Sequence, residues 1–244
     1  MRGPENTPEP GPWRLVHVVR RKLPNRRLRW IATGMLAVLA LAFVIVWTTP
    51  LFEVERIEVT GTSVLTPEEV AVLGQDAVGR SVLGADLDAI ANAVAGLAPV
   101  KSVEVTRAWP DAVSVAVTER EPYMAVPVGE ETFLMVDVEG VVFDETDAAP
   151  GSIWRVELAD PGPGDLATIE TLIVLQALPQ ALADEVEHVA SPSPASVTLY
   201  LEDGRTLRWG DGSESEQKAE VADRLLAGGY EHVDVSAPDA PTVS

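Results

Sequence analysis

The feature that most constrains this chain is an uncharged run from Trp30 to Phe52, of sequence WIATGMLAVLALAFVIVWTTPLF. A helix of this length would extend for about 34 Å, which matches the roughly 30 Å of hydrocarbon in a lipid bilayer. Trp30 and Trp47 flank the run, and tryptophan rings prefer the membrane interface. The sequence therefore predicts a single transmembrane helix over residues 30–52.

The charges around the run predict its orientation. Residues 1–30 carry eight basic and two acidic residues, a formal charge of +6, whereas the remainder carries ten basic and 36 acidic residues, a formal charge of −26. Because basic flanks stay in the cytoplasm, residues 1–29 are predicted to be a basic, partly disordered cytoplasmic tail. The acidic body is then extracytoplasmic, which makes the chain a single-pass type II protein of the cell membrane. Such an acidic body is not expected to bind nucleic acid by neutralising phosphates.

A cleaved signal peptide is the alternative interpretation of the run. Signal peptides have an apolar core of about 7–15 residues and a cleavage site with small residues. Here the run is longer, a tail of 29 residues precedes it, and the segment VIVWTTP offers no such site. The sequence contains no cysteine for a lipid anchor, so it favours an uncleaved helix.

Residues 53–121 predict a small module of order β-α-α-β-β. The segment TPEE at 66–69 has the residues of a helix capping box with proline at the first helical position. Asp86 precedes apolar residues at helical spacing, which indicates a second helix. The segments 101–107 and 112–119 alternate valine with polar residues, as strands do. Three strands covered on one face by two helices can bury one small core.

Residues 122–236 predict a second module that is rich in strands and has two helices. Strand-like runs include MAVPV, TFLMVDV, GVVFD and IWRVEL. The segment SESE at 213–216 has capping-box residues and predicts a helix that ends before Gly228 and Gly229. Residues 230–235 are predicted to form the final strand. The tail 237–244, APDAPTVS, is predicted to be flexible because its prolines make it a poor partner in a sheet.

The final strand is the main functional candidate. Few residues follow it, so we expect it at a sheet edge, where unpaired N–H and C=O groups can accept a strand from another polypeptide. A second interpretation stays open, in which Val233 and Val235 are ordinary core residues and Lys218 is a solvated charge.

Several sequence segments, taken in order, resemble those of a known family. These are FEVERIEVTG, VKSVEVTRAWPD, TEREP and VDVEGVVF. The order β-α-α-β-β is that of a POTRA (polypeptide-transport-associated) domain, and the phrases resemble the FtsQ/DivIB family of bacterial cell-division proteins. The SAPDAP ending resembles actinobacterial sequences. That family has a cytoplasmic tail, one transmembrane helix, a POTRA domain and a β-rich domain, which implies an α+β fold class.

The resemblance also implies a function and a set of contact residues. It implies a scaffold at the division septum that binds FtsB (DivIC) and FtsL and thereby controls the septal peptidoglycan synthase. In that family the partner docks on the C-terminal strand and the helix before it. The implied partner-binding residues are Tyr230, Val233, Asp234, Val235 and Lys218.

Trp109 lies in the predicted turn between the last two strands of the first module. We favour a partly buried turn residue, and the alternative is an exposed anchor for a partner, because aromatic residues are enriched at binding hot spots.

The residue types argue against an enzyme. The absence of cysteine removes thiolate nucleophiles and cysteine-based metal sites, and only three histidines occur, at His17, His188 and His232. Neither His188 nor His232 lies near a G-x-S-x-G phrase, and no phosphate-binding loop or EF-hand spacing is present. Paired carboxylates arise by chance among so many acidic residues. The sequence therefore predicts a binding protein with no cofactor, metal or small-molecule substrate.

Two alternatives belong to other classes of protein. One is a POTRA-type component that guides unfolded polypeptides, although such proteins usually carry several POTRA units or a membrane barrel. The other is a membrane-anchored cell-wall hydrolase, which a zymogram would detect.

Overall fold

A computed structural model of the chain describes residues 26–48, 52–129, 131–148, 151 and 153–244. The chain divides into two units, residues 1–51 and 52–244. The predicted cytoplasmic tail lies outside the described residues up to position 25, and so do residues 49–51 of the predicted membrane run.

The first unit contains helix α1 (Arg26–Thr48), which covers most of the uncharged run. Its apolar side chains are exposed, with Trp30 at 68% and Leu36 at 69%. Within the part of the chain that the structure describes, no helix is both long enough and apolar enough to cross a membrane. The transmembrane assignment over residues 30–52 stays a prediction.

The first module has the predicted order of elements. They are β1 (Arg56–Thr60), α2 (Pro67–Leu73), α3 (Leu87–Ala95), β2 (Val100–Ala108) and β3 (Ala112–Glu119). The strand order is β1-β3-β2, with β1 parallel and β2 antiparallel to the central β3. Val113, Val115 and Val117 alternate along β3 and are buried against the two helices, as the sequence predicts for a single small core.

Both predicted helix caps of this module are confirmed. The Thr66 hydroxyl accepts a hydrogen bond from the Glu69 N–H, and the Glu69 carboxylate accepts one of 2.8 Å from the Thr66 N–H. That backbone bond, together with one from the Thr66 hydroxyl, lowers the pKa of Glu69. The Asp86 carboxylate caps α3 by accepting from the Ala89 N–H at 3.0 Å. These caps involve only neighbouring residues, which is why the sequence reveals them.

The first strand begins later than FEVERIEV suggests. Val54 is buried, and its backbone pairs with a loop later in the chain, donating to the Arg80 carbonyl at 2.8 Å and accepting from the Gly79 N–H at 3.0 Å. Glu53 forms an isolated antiparallel bridge with Ser81. The chain is therefore tied to the loop at 79–81 before it joins β3 at Arg56.

The end of β3 is tied to the loop between β1 and α2. The Glu119 carboxylate accepts hydrogen bonds of 3.0, 2.8 and 2.9 Å from the N–H groups of Ser63, Val64 and Leu65. Burial raises the pKa of Glu119, but the three donors outweigh this effect and lower it overall.

The second module is a long mixed sheet packed against helices. Its strands are β4 (Met124–Pro127), β5 (Phe133–Val136), β6 (Val142–Thr146), β7 (Trp154–Glu157), β8 (Val186–Ala190), β9 (Val197–Leu201), β10 (Thr206–Gly210), β11 (His232–Asp234) and β12 (Thr242–Val243). Its helices are α4 (Leu166–Ala177), α5 (Gln180–Ala183) and α6 (Ser215–Leu226). The strand order is β12-β11-β10-β9-β8-β7-β4-β5-β6. The α+β class is confirmed, and the short α5 is an addition to the two helices predicted.

The predicted capping box at 213–216 is wrong. Helix α6 begins at Ser215, and its N-cap Glu214 has a φ of +50° and makes no side-chain capping bond. The Ser213 hydroxyl donates instead to Asp211 Oδ1 at 2.5 Å, and the Ser215 hydroxyl donates to the Gly212 carbonyl at 3.0 Å. Because Glu214 and not Ser213 is the N-cap residue, the predicted box is out of register with the helix.

The prediction of a C-terminal edge strand is also wrong. Strand β11 pairs in parallel with β10 on one side and antiparallel with β12 on the other. The tail 237–244, expected to stay out of the sheet, supplies β12. Its prolines do not oppose this pairing, because Pro238 lies in the turn closed by the Ala240 N–H to Ala237 carbonyl bond and Pro241 precedes the strand.

A buried ion pair joins the two modules. Arg120, in the connecting segment, donates to the carboxylate of Asp137, whose side chain is 3% exposed. The other oxygen of Asp137 accepts bonds of 2.9 Å from the N–H groups of Glu139 and Val141 in the turn between β5 and β6. Lys101 of β2 reaches Glu139 at 3.2 Å. Asp137 therefore stabilises the turn between β5 and β6 in the second module. It also binds Arg120, which directly follows the last strand of the first module.

We expect Asp137→Ala to lower the free energy of unfolding of residues 52–244 by about 3–5 kcal/mol, because it removes the buried partner of Arg120, which keeps only the half-exposed Glu139 carboxylate at 3.3 Å. The matched control is Glu139→Ala, which removes a half-exposed carboxylate from the same turn and should cost about 0–1 kcal/mol. Urea unfolding followed by circular dichroism measures both. Equal losses in the two variants would contradict the structural role of Asp137.

Candidate functional site

Two of the predicted contact residues lie in the core. Val233 is 2% exposed and Val235 is fully buried, and both belong to the hydrophobic cluster that includes Leu207 and Trp209. Their side chains hold β11 against the rest of the module. They are not available to a partner in this conformation, which is the second interpretation that the sequence left open.

Lys218 is fully buried, so it is neither a solvated charge nor a surface contact. Its ammonium group donates to the Asp211 carbonyl at 3.0 Å and to Asp211 Oδ1 at 2.9 Å. Hydrogen bonds from the Ser213 hydroxyl and from Lys218 lower the pKa of Asp211 to about 2. The pair fixes the loop that leads from β10 into α6.

The loop held by Lys218 has further supports that the sequence did not reveal. The Gly212 N–H donates to Glu170 of α4 at 2.7 Å, and Trp209 Nε1 donates to the Ser215 hydroxyl at 3.2 Å. Gly210 has a φ of +87°, and a Cβ at this position would lie 2.8 Å from the Cβ of Ser236. The only sequence signal was the Gly-Asp-Gly triplet at 210–212, which indicates a loop but not its partners.

Asp234 and Tyr230 are the more accessible predicted residues. Asp234 Oδ1 accepts hydrogen bonds from the Ser236 N–H at 2.9 Å and from the Ser236 hydroxyl at 2.6 Å, so it shapes the turn after β11. Tyr230 is 42% exposed and lies against Gly228, where an added Cβ would come within 2.9 Å of its ring. The structure therefore brings the predicted residues into one region, but with different environments.

Strands β6 and β12 form the two ends of the long sheet. Strand β6 carries exposed Asp144 and Glu145, and charged residues on an edge oppose pairing with another chain. Strand β12, by contrast, consists of uncharged Thr242 and Val243. The sequence pattern did not reveal β12, because two residues are too few to show a period of two.

Backbone pairing leaves one side of β12 open. Ser244 and His232 exchange reciprocal N–H to C=O bonds of 3.0 and 3.1 Å. Because successive residues of a strand point their backbone groups to opposite sides, the N–H and C=O of Val243 point away from β11. We call the outward side of β12, residues 242–243, the C-terminal edge. The Val243 side chain is 40% exposed and lines a cavity of about 250 Å³ with Arg208 and other residues of β10 and β11.

A larger cavity of about 820 Å³ lies between α5 and α6 and shares no lining residue with the C-terminal edge. Its walls combine apolar residues such as Leu182 and Leu226 with the carboxylates of Glu216, Glu220 and Asp223. Among the described residues, no group of three histidine or acidic side chains is placed to hold a metal ion.

Trp109 is 54% exposed, more than the partly buried turn residue that we favoured from the sequence. Its ring lies edge-to-face against Phe52, with centroids 5.6 Å apart and planes at 74°. The contact joins the turn between β2 and β3 to the first residue of the second unit.

Comparison with known proteins gives matches along most of the chain. The family model for the FtsQ-type POTRA domain matches residues 52–120, and that for the C-terminal part of cell division protein FtsQ/DivIB matches residues 125–236. The chain is 36% identical over 219 residues to cell division protein FtsQ of Mycolicibacterium smegmatis, covering 88% of this chain and 64% of that protein. It is 35% identical over 233 residues to FtsQ of Streptomyces venezuelae, covering 91% and 86%.

The chain belongs to the FtsQ/DivIB family of cell-division proteins. The resemblance inferred from its phrases is thereby confirmed, and the first and second modules are the POTRA domain and the C-terminal β domain of this family. The chain spans about two thirds of the length of its mycobacterial relatives, 64% for both Mycolicibacterium smegmatis and Mycobacteroides abscessus.

The Asp211–Lys218 pair predicts how the stability of the β domain depends on pH. The Asp211 pKa of about 2 lies below its ordinary value of 3.8, so the pair stabilises the fold above pH 4 and loses this effect as the pH falls towards 2. We expect Asp211→Asn to cost about 1–3 kcal/mol at neutral pH, less than for a fully buried pair because Asp211 is partly exposed. The difference from the unchanged protein should shrink between pH 4 and pH 2.

Urea unfolding of residues 52–244 at several pH values measures this difference. The matched control is Glu216→Gln, which neutralises an exposed carboxylate on α6, the helix that carries Lys218. This substitution should change stability little. A cost for Asp211→Asn that stays constant down to pH 2 would show that charge is not what the pair contributes.

Proposed function

We propose that this protein is a membrane-anchored scaffold of the division septum. Residues 1–29 form its cytoplasmic tail, residues 30–52 its transmembrane helix, and the POTRA and β domains lie outside the membrane. The uncharged run and the basic residues before it support this topology. The family supports the role in division and favours a scaffold over a translocation component or a cell-wall hydrolase.

The partner that we propose is the FtsB/DivIC protein together with FtsL. Through these two proteins, the scaffold would localise and regulate the septal peptidoglycan synthase. The chain itself carries out no reaction in this proposal, so its contribution is the position and affinity of its binding surface. That surface must lie on the same side of the membrane as the septal wall.

We place the docking surface at the C-terminal edge. A partner strand would exchange backbone hydrogen bonds with Val243 and extend the sheet beyond β12. The observation that carries this proposal is the contrast between the two ends of the sheet, since β12 is uncharged and β6 presents Asp144 and Glu145. Backbone pairing supplies affinity, and side chains beside the edge supply specificity.

The residues implied by the family resemblance then act in two ways. Val233, Val235 and Lys218 act from the interior, because they hold β11 and the loop before α6 in place. Asp234 lines the cavity beside the C-terminal edge and can flank the docked strand, and Tyr230 is 42% exposed. The proposal thus keeps the same region but moves the contact outward by one strand.

A proline substitution tests the backbone contact. Val243→Pro removes the outward N–H but leaves the bonds of Ser244 to His232, and proline is tolerated on edge strands. We expect binding to the FtsB/DivIC partner to weaken by about five- to tenfold, the effect of one lost hydrogen bond. Val243→Ala keeps the N–H and is the matched control, with binding close to that of the unchanged protein.

Binding is measured by calorimetry between residues 52–244 and the extracytoplasmic part of the partner, with thermal unfolding recorded for each variant. Unchanged binding of Val243→Pro would refute docking at this edge. A deletion of residues 241–244 distinguishes a partner that pairs with β12 from one that takes its place. If the partner pairs with β12, the deletion abolishes binding. Tighter binding after the deletion would mean that the partner replaces β12 beside β11, which also contradicts the proposal.

A further inference from the structure

The POTRA domain exposes two large apolar side chains where the chain enters it. Trp109 is 54% exposed and Leu83 is 67% exposed. Together with Phe52, which contacts Trp109, we call them the Trp109 patch. Neither the core of the domain nor the proposed docking edge uses these side chains.

Backbone pairing brings together the segments that carry these side chains. The Glu55 N–H donates to the Asp111 carbonyl at 2.7 Å, which holds the entering chain beside the turn that carries Trp109. On the other side, Glu53 forms an isolated antiparallel bridge with Ser81. The loop that carries Leu83 therefore starts beside the entering chain.

Arg107 makes this arrangement rigid. Its Nε donates to the Val82 carbonyl at 2.9 Å, and Nη2 donates to the carbonyls of Leu83 at 3.4 Å and Ala85 at 3.3 Å. The side chain thus ties the loop of Leu83 to the strand that leads into Trp109. A rigid exposed apolar patch loses little conformational entropy when it binds a surface.

Phe52 determines what that surface is. It is the last residue of the uncharged run that we propose to span the membrane, and its ring centroid lies 5.6 Å from that of Trp109. This step rests on the proposed membrane anchor. A residue that ends a transmembrane run lies at the boundary between acyl chains and headgroups, which is the region that tryptophan side chains prefer.

We propose that the Trp109 patch inserts into the outer interface of the membrane that holds the protein. Trp109 and Leu83 reach the boundary between headgroups and acyl chains and fix the POTRA domain on the bilayer. The charges beside the patch are mixed, with Glu53 and Glu55 next to Arg56 and Arg80. Insertion is therefore driven by apolar burial and does not require anionic lipid.

Seating the patch would set the height of the β domain above the membrane. Strand β3 begins next to the patch at Ala112 and ends at Glu119, where the connection to the β domain starts. Eight residues of strand extend for about 26 Å. The POTRA domain would thus act as a spacer of defined length instead of a freely moving link.

The absence of cysteine from the sequence allows a direct test with single spin labels. The full-length Leu83→Cys variant carries a nitroxide on its single cysteine. It is reconstituted in vesicles of phosphatidylcholine and in vesicles of phosphatidylcholine with phosphatidylglycerol. The matched control is Val64→Cys, which is 62% exposed and whose N–H is bound by Glu119 at the far end of β3. Accessibility to oxygen and to a water-soluble nickel complex is measured by power saturation.

We expect the label at residue 83 to be at least about threefold less accessible to the nickel complex than the label at residue 64, in both lipids. Adding Trp109→Asp should remove most of this protection, and Trp109→Phe should retain it. Equal accessibility of the two labels in vesicles that resist carbonate extraction would refute patch insertion and leave the membrane anchor intact. Loss of the chain on carbonate extraction would refute the anchor and the insertion together.

Two further results would also overturn the proposal. Protection that disappears when the chain is diluted in excess lipid would mean that a second copy covers the patch. Protection confined to the anionic vesicles would mean that the charged residues, and not the apolar patch, hold the domain on the membrane.

Discussion

Every β-sheet that does not close on itself must either pair or protect the backbone groups of its two outer strands. In this protein the two ends of the nine-stranded sheet meet that requirement in different ways. At one end, acidic side chains of β6 discourage further pairing. At the other, a two-residue strand from the tail completes β11 and leaves a short uncharged edge. The proposed docking of a partner strand at the C-terminal edge rests on this asymmetry.

Buried charges occur where separate segments must be held in register. Asp137 joins the POTRA domain to a turn of the β domain, and Lys218 joins α6 to the loop at Asp211. Glu119 performs a similar task between β3 and the loop at 63–65. Each of these groups bonds to backbone atoms as well as to a charge or several donors, which offsets the cost of removing it from water. Each charge therefore fixes the position of a turn or loop, and removal of one partner is expected to cost stability.

The sequence predicted elements whose signals are local and missed those whose partners are distant. Thr66 and Asp86 cap helices through residues three positions away, so their patterns were sufficient. Ser213 has an equally good local pattern, but the helix begins only at Ser215, so Ser213 is not its N-cap. Lys218 is buried because of the conformation of the loop at Asp211, which no periodic pattern in the sequence predicts.

The candidate site shows the same limit. The sequence predicted a strand after a helix, because of the valines at 233 and 235 and the glycines at 228 and 229, and both elements are present. It placed that strand at the edge because few residues follow it, and it predicted a flexible tail because of the prolines there. The structure positions those prolines in and beside a turn, where they do not interrupt the pairing. The predicted transmembrane helix over residues 30–52 differs from these cases, because only the composition of the sequence supports it.

Strand β7 connects the two halves of the long sheet through very few backbone bonds. It pairs in parallel with only two residues of β4 in one half and two residues of β8 in the other. Met124 and Val136 on one side and Val189 and Leu199 on the other nevertheless belong to one apolar cluster. In the proposed scaffold, a mechanical load applied at the C-terminal edge would therefore reach the POTRA domain more through packed side chains than through backbone hydrogen bonds of the sheet.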